Sequence, residues 1–423
     1  MFKVKIKVLL VYFLTESLKN FYIYINFIEK NGQLLYNKMI SCGGEKVKVI
    51  PSFKLDFKKF KELDKWMLFS IICIVSFGIL NIYLATKGNY GMFYPKRQLI
   101  FFIVALVALY FVLATDYNTI KGFTNLFYGG SIVLLVLVLV IGKTVNGAQG
   151  WIDLGVISLQ PAEIAKVATI MMMGRKLEEM EGNINTVKNF FTLAIYAVIP
   201  AALIVIQPDM GMTMVLFFMV LGVYFIGGLD KRVILYGLGS MLLAVVLLWN
   251  SGLIQDYQKT RITSFMNPDT DTSDSGYHLR QSLIGIGSGG FFGAHNSYSN
   301  DGTGGFASEY VPEVETDFIF AQIGEQWGTI GAIILLSFYG ILISRMIKIA
   351  KNSKDIFGRC VSIGMVSYFF FAITQNIGMT IGLMPITGIT LPLVSYGGSS
   401  LLTTILSLGI VLNIGMSKKK IYF

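Results

Sequence analysis

Ten apolar runs recur between residues 67 and 416, most of them long enough to cross a bilayer as a helix. Hydrocarbon offers no partner to backbone N–H and C=O groups, so a span must satisfy them internally, and roughly 20 apolar residues in a helix cover the ~30 Å layer. The runs fall near 67–86, 98–114, 124–142, 162–174, 190–206, 210–228, 233–250, 317–344, 360–384 and 397–416. The fourth is short, and Pro161 suits its first turn, where a missing N–H does no harm. The chain is 54% hydrophobic and 14% charged, above the ~45–50% apolar content of soluble domains. The expected fold is an all-α polytopic membrane protein of about ten transmembrane helices.

Loop charges orient the spans, because Lys and Arg concentrate on the cytoplasmic side. With the N-terminus inside, the inner loops carry Lys121, Arg175, Lys176, Lys188, Lys231, Arg232, the cluster from Arg345 to Arg359, and Lys418 to Lys420. The outer connections hold half as many, Lys87, Lys96, Arg97, Lys143, Lys259, Arg261 and Arg280, spread over longer stretches. Both termini are therefore expected in the cytoplasm. The net charge of +10 reads as topology and contact with anionic lipid rather than nucleic-acid binding.

Residues 1–61 form a basic tail whose apolar clusters are too short to span, and they lack a small-residue cleavage site, so no signal peptide is expected. The ten-helix domain covers 62–417, and 418–423 is a short basic tail. Cys42, Cys73 and Cys360 are widely spaced, which suggests neither a disulfide framework nor a zinc site. His278 and His295 are too few for a histidine metal centre, and a water-exposed loop is their expected home.

The connection 251–316 dominates the outer face, with eight acids against Lys259, Arg261 and Arg280. Its Gly285, Gly287 and Gly290 make a formal G-x-G-x-x-G, but no strand precedes it, so tight turns and close packing explain it better than a dinucleotide. Ionisable groups inside spans are costly and invite a functional reading. Lys166 is the one Lys or Arg within the assigned spans, and Glu163, three residues earlier, can pair with it on one helix face. Asp209 reads as an N-cap. Gln322, Glu325 and Gln326 form a polar stripe facing protein or water, below Asp317 at the mouth of the eighth run. Asp317 itself has two readings, a helix cap or a functional carboxylate.

Six segments together resemble one family. They are Gly147-Ala-Gln-Gly-Trp-Ile-Asp-Leu-Gly155 with Leu159-Gln-Pro-Ala-Glu-Ile-Ala-Lys166, Gln207-Pro-Asp-Met-Gly211, Tyr277-His-Leu-Arg-Gln-Ser282, Pro312-Glu-Val-Glu-Thr-Asp-Phe-Ile-Phe320 and Pro392-Leu-Val-Ser-Tyr-Gly-Gly-Ser-Ser400. In that order they are similar to the SEDS family of peptidoglycan polymerases, which includes RodA, FtsW and SpoVE, over about 62–417. Ile284-Gly-Ile-Gly-Ser-Gly-Gly290 and Pro385-Ile-Thr-Gly388 look closer to the elongation enzyme RodA. Glu315 stands where many relatives have His, and Ala294-His295-Asn296 replaces a usual Gly-x-Gly.

The resemblance implies glycan-strand polymerisation from lipid II on the extracytoplasmic side of a bacterial plasma membrane. Asp317 matches the family's catalytic carboxylate, the general base for the acceptor 4-hydroxyl. The leaving group is polyprenyl pyrophosphate, already anionic, so it needs positive charge rather than a proton. Lys166 and Arg261 are the first candidates and Arg280 the next, with Glu163, Gln281, Glu313, Ser395 and Tyr396 expected around the substrate. A Mg or Mn ion held by loop carboxylates is an open expectation without a demonstrating ligand spacing. Glu313 and Glu315 could also tune the base by like-charge repulsion. The implied partner is a class B penicillin-binding protein. Two other classes stay open: a lipid II flippase, disfavoured by the lack of an internal repeat, and a scaffold that recruits synthases.

Overall fold

A computed structural model describes residues 57–145, 148–153, 155, 158–233, 235–237, 239, 275–294 and 305–417. The helices are α1 Lys65–Thr86, α2 Phe93–Ala114, α3 Tyr117–Gly122, α4 Thr124–Ile141, α5 Pro161–Glu179, α6 Val187–Ile206, α7 Met210–Ile226, α8 Ser275–Gly289, α9 Phe306–Tyr310, α10 Ile319–Lys351, α11 Ile356–Thr380 and α12 Gly398–Met416. Seven of these, α1, α2, α4, α6, α10, α11 and α12, are long and apolar enough to cross a membrane, and α7 is a shorter apolar helix. The fold is that of a polytopic helical membrane protein.

Nine of the ten expected runs coincide with described helices, and most of the seventh, 233–250, lies outside the described residues. The basic tail lies outside them too, save a 3-10 turn at Phe57–Glu62. Several boundaries move: α10 runs on to Lys351 rather than ending near 344, and α11 spans Ile356–Thr380 rather than 360–384. Helix α2 begins at Phe93, so Lys96 and Arg97 sit in its first turns rather than in a loop. Helix α5 runs on to Glu179 because, beyond the apolar stretch, Arg175, Lys176 and Glu179 pair along its own surface.

Local chemistry starts the helices where the sequence suggests. Pro161 occupies the first turn of α5, and Asp209 caps α7 by accepting from Met212 N at 2.9 Å. Asp64 and Asp355 cap α1 and α11 in the same way. Three short strands, β1 Lys143–Val145, β2 Ala148–Asp153 and β3 Ser158–Leu159, form an antiparallel sheet between α4 and α5, where the apolar periodicity gave no strand signal. The core runs through α1, α5, α10, α11 and α12, with Ile71, Ile170, Tyr339, Phe369 and Leu408 almost fully buried. The outward faces of α2, α4 and α6 expose Ile, Val and Phe side chains, as lipid-facing helices do.

The connection before α10 is more regular than its composition suggests. It contains α8 and α9, and the G-x-G-x-x-G glycines lie on α8 and its C-terminal turn rather than in a nucleotide loop. Both parts of the glycine reading hold in places: Gly290 turns the chain at φ +54°, and a Cβ at Gly285 would lie 3.3 Å from Ala307 Cβ, with the tightest approach at the neighbouring Gly289. A Cβ at Gly289 would lie 2.0 Å from the Gly324 carbonyl of α10.

Candidate active site

Asp317 lies in a turn ahead of α10, and Phe318 rather than Asp317 is the N-cap residue. The capping reading of Asp317 is therefore corrected, because the chain turns twice before the first helical residue, Ile319. Its main chain is held from a neighbouring helix. Asn376 of α11 donates through Nδ2 to Asp317 O and to Ile389 O, both at 2.8 Å. One buried amide thus ties the 312–318 turn to the 385–391 segment. Gly388, at φ +70°, keeps that segment close: a Cβ there would be 3.4 Å from Asp317 Oδ2.

A second tie runs to the Pro392–Ser400 motif. Ser395 Oγ donates to Thr316 O at 2.6 Å and accepts from Leu391 N at 2.8 Å, while Tyr396 N donates to Glu315 O at 2.8 Å. Gln98 of α2 donates to Ser395 O at 3.1 Å and accepts from Gly397 N at 3.2 Å. Two residues in this patch adopt left-handed backbone, Glu313 at φ 53° and Leu393 at φ 69°. Such strain costs about 1–3 kcal/mol per residue and survives only where surrounding contacts fix the chain.

The remaining motifs join the same end of the bundle. Gln160 N donates to Ser399 Oγ at 3.2 Å, and Gln160 Nε2 to Asp209 Oδ2 at 3.0 Å. His278 of α8 packs edge-on against Phe318, with ring centroids 5.8 Å apart, so it is half-buried rather than in an open loop. Gln281 is half-buried on α8, and Arg280 is exposed there. Glu313 is exposed, and its carboxylate accepts from Thr316 Oγ1 at 2.9 Å. Arg261 and His295 lie outside the described residues.

Electrostatics differ between the two carboxylates beside Asp317. Burial pushes Glu315 above its ordinary range; a bond from its own backbone N–H opposes this, and repulsion from Glu313 adds to it. Burial likewise raises the Tyr396 hydroxyl, offset by the charge and hydrogen bond of Arg97 and reinforced by Glu315. Arg97, a loop charge by sequence, reaches Tyr396 in the middle of the patch, with its guanidinium also 5.1 Å from the centre of the Phe93 ring. Asn376 was also missed. Its signal was present, a polar amide inside an apolar run.

Lys166 and Glu163 are brought together as expected, but deep inside the protein. Lys166 Nζ lies 2.6 Å from Glu163 Oε2, with the side chains 1% and 5% exposed, and 3.8 Å from the centre of the Tyr368 ring. The same Glu163 oxygen accepts from Thr403 Oγ1 at 3.0 Å, and Thr403 also donates to Ser399 O. The pair thereby reaches the first turn of α12 and the end of the 392–400 motif. The polar stripe on α10 faces protein: Gln322, Glu325 and Gln326 are buried, and Glu325 receives Phe306 N and Ala307 N, each at 2.6 Å, at the start of α9. Among the described residues no three His, Cys, Asp or Glu side chains gather as a metal site would require.

The fold and the gathered motifs define a polytopic membrane protein with a polar site at one end of its bundle. The profile of the FtsW, RodA and SpoVE family of cell cycle proteins matches residues 60–420, and the chain belongs to that family. It is 34% identical over 361 residues to the stage V sporulation protein E of Bacillus subtilis, covering 83% of this chain and 96% of that one. It is also 34% identical over 363 residues to the peptidoglycan glycosyltransferase MrdB of Escherichia coli K12, covering 85% and 95%. Among solved structures, a chain of a peptidoglycan synthase complex that coordinates polymerization and crosslinking superposes with TM-score 0.73 at 30% identity, covering 84% of this chain and 98% of that one. The rod shape determining protein RodA of Thermus thermophilus gives TM-score 0.64 at 27% identity, covering 85% and 98%.

Proposed function

We propose that this protein is a peptidoglycan glycosyltransferase that polymerises lipid II, with Asp317 as general base. The Asp317 carboxylate takes the proton of the acceptor sugar's 4-hydroxyl as its oxygen bonds to the donor's anomeric carbon. The bond from that carbon to the polyprenyl pyrophosphate breaks, and the pyrophosphate leaves with the electron pair. A base held within hydrogen-bonding reach contributes about 10²–10⁴-fold. The observation that carries the reading is the double tie of residues 315–317, by Asn376 and by the 395–396 segment, which fixes the carboxylate-bearing turn through its main chain.

Lys166 and Glu163 act in this reading as positioning residues, because burial removes Lys166 from direct contact with a headgroup. The nearer cations are Arg97, at Tyr396, and Arg280, with Arg261 in the same connection. The site lies on the extracytoplasmic side with both termini in the cytoplasm, as the loop charges suggest. The chain works with a class B penicillin-binding protein, by analogy with the synthase complex it resembles. The elongation role rests on Ile284–Gly290 and Pro385–Gly388; division and sporulation are the paralogous roles.

A lipid II flippase is the second reading, and the interruption of α10 at Gly328 is the observation in its favour, since transporters use broken helices. Purified protein incubated with lipid II in detergent, alone and with the partner, separates the classes. Polymer on a gel supports the proposed reaction. Transfer of lipid II across vesicles without polymer supports the flippase, and polymer made only by the partner's own activity supports a scaffold.

A further inference from the structure

The break in α10 is filled by another part of the chain. Gly328 leaves the helical region at φ 60° and ψ −161°, and the turn after α8 meets it. Thr329 N donates to Gly290 O at 3.1 Å, Ile330 N to Phe291 O at 3.2 Å, and Ala294 N to Glu325 O at 2.8 Å. The fit is made of backbone on backbone: a Cβ on Gly328 would lie 2.5 Å from Gly293 N, and one on Gly293 would lie 2.2 Å from Gln326 O. The amides freed by the interruption thus find carbonyl partners inside the protein.

The depth of this junction follows from α1, which runs antiparallel to α10. Asp64, at the start of α1, binds Arg345 through Oδ2 at 2.6 Å, and Asn81 accepts from Trp327 Nε1 at 2.9 Å. These two contacts fix the register at both ends. Helix α1 has 22 residues, about 33 Å at 1.5 Å per residue, which matches the ~30 Å hydrocarbon layer. Asn81 is then about 7 Å inside the far end of α1, and Thr329 and Ile330 follow Trp327 toward the Arg345 end, across the non-helical Gly328. The junction thus begins about 7 Å inside the far end of α1, within the ~15 Å thickness of one leaflet's hydrocarbon.

At this depth the tip of the turn exposes two large aromatic rings. Phe291 is 60% and Phe292 70% exposed, and on α8 itself Leu283 and Ile284 are exposed as well. On α10 the exposed Ile330, Ile333 and Ile334 begin where Phe291 is bonded, so the apolar surface continues onto a face that a membrane helix presents to lipid. Polar main chain at membrane depth is tolerated only where protein satisfies it. Here Gly290 O and Phe291 O receive α10 amides, and Gly293 N donates to Gly289 O at 2.8 Å.

We propose that α8 and its terminal turn form a re-entrant wedge that dips into the leaflet nearest the site, with Phe291 and Phe292 against acyl chains. The connection between the seventh and eighth spans is thus anchored in lipid rather than lying wholly in water. The wedge also sets the direction of Ile319–Trp327, the half-helix that begins two residues after Asp317. Lipid contact at Phe291 and Phe292 steadies the base from below.

The test uses the full chain in lipid nanodiscs. F292W, with F291W as the second variant, is compared with the parent for the emission added by the new indole. The expected result is blue-shifted emission, quenched by lipids brominated in mid-chain and unmoved by aqueous iodide. Quenching by iodide without quenching by brominated lipid overturns the wedge, and so does protection from both quenchers, which would mean a protein cover. The double variant F291E/F292E should lower the melting temperature in nanodiscs while F291L/F292L leaves it unchanged. Equal melting of both double variants and the parent would also overturn it. None of these readouts depends on the glycosyltransferase reaction, so the wedge and the proposed activity stand or fall separately.

Discussion

At the end of the bundle that carries Asp64 and Asp355, each carboxylate serves two structural purposes. Asp64 accepts from Met67 N at 3.1 Å and takes Arg345 in a forked contact, with Nε at 2.9 Å and one terminal nitrogen at 2.6 Å. Asp355 caps α11 and accepts from Tyr117 OH and Lys121 Nζ, while Lys121 also pairs with Glu178. At the opposite end Asp209 is again a cap, but two acids of the 312–318 turn have their main chain held, Glu315 through Tyr396 N and Asp317 through Asn376. A carboxylate locked in a cap and an ion pair is a poor base, because protonation would forfeit both. A carboxylate whose position is fixed through its carbonyl can change protonation state without releasing the backbone.

That contrast predicts graded effects. The largest falls at Asp317: D317N should lower turnover by about 10²–10⁴-fold with little change in melting temperature, read from polymer synthesis beside thermal unfolding in detergent. D64N should show the reverse, a lower melting temperature with turnover per folded molecule kept. Next comes K166M, which strands a buried Glu163 carboxylate and should destabilise by about 3–5 kcal/mol. E163L/K166M should recover much of that loss, and an unfolding series of the two variants checks it. A smaller effect is expected for N376L, which leaves the buried carbonyls of Asp317 and Ile389 without their donor, at about 1–3 kcal/mol. Turnover should fall with it, because the turn is no longer fixed.

The smallest effect is the pH dependence at Asp355. Burial raises its carboxyl, but bonds from Tyr117, Gly358 N and Lys121 outweigh this and hold it below its ordinary 3.8. A lowered native value adds stability that is fully present above the unfolded value and is lost as pH falls through the native one. D355N should therefore melt lower than the parent at neutral pH, by about 1 kcal/mol, and the two should converge only at pH below about 4. A constant gap down to acid pH would assign the effect to packing instead.

The sequence carried the spans well, because apolar run length is a direct record of what a bilayer requires. Pro161 and Asp209 marked helix starts through local chemistry alone, and Glu163 and Lys166 marked their pairing through helical spacing. What stayed hidden depends on contacts between distant residues. The Asn376 clamp joins positions far apart in sequence, and Arg97 reaches Tyr396 only because α2 packs against α12. The break at Gly328 is not marked by a proline in the sequence, because its cause lies in the turn after α8. Asp317 was legible as unusual, but the turn that moves it off the helix cap was not.

Purified D317N and parent protein, given the same lipid II in the same detergent, can be assayed together for bound lipid II and for polymer made. A general base at this position gives bound substrate at the parent level and polymer reduced by at least about 100-fold. Polymer made by D317N at the parent rate, with the same bound substrate, would contradict Asp317 as the base.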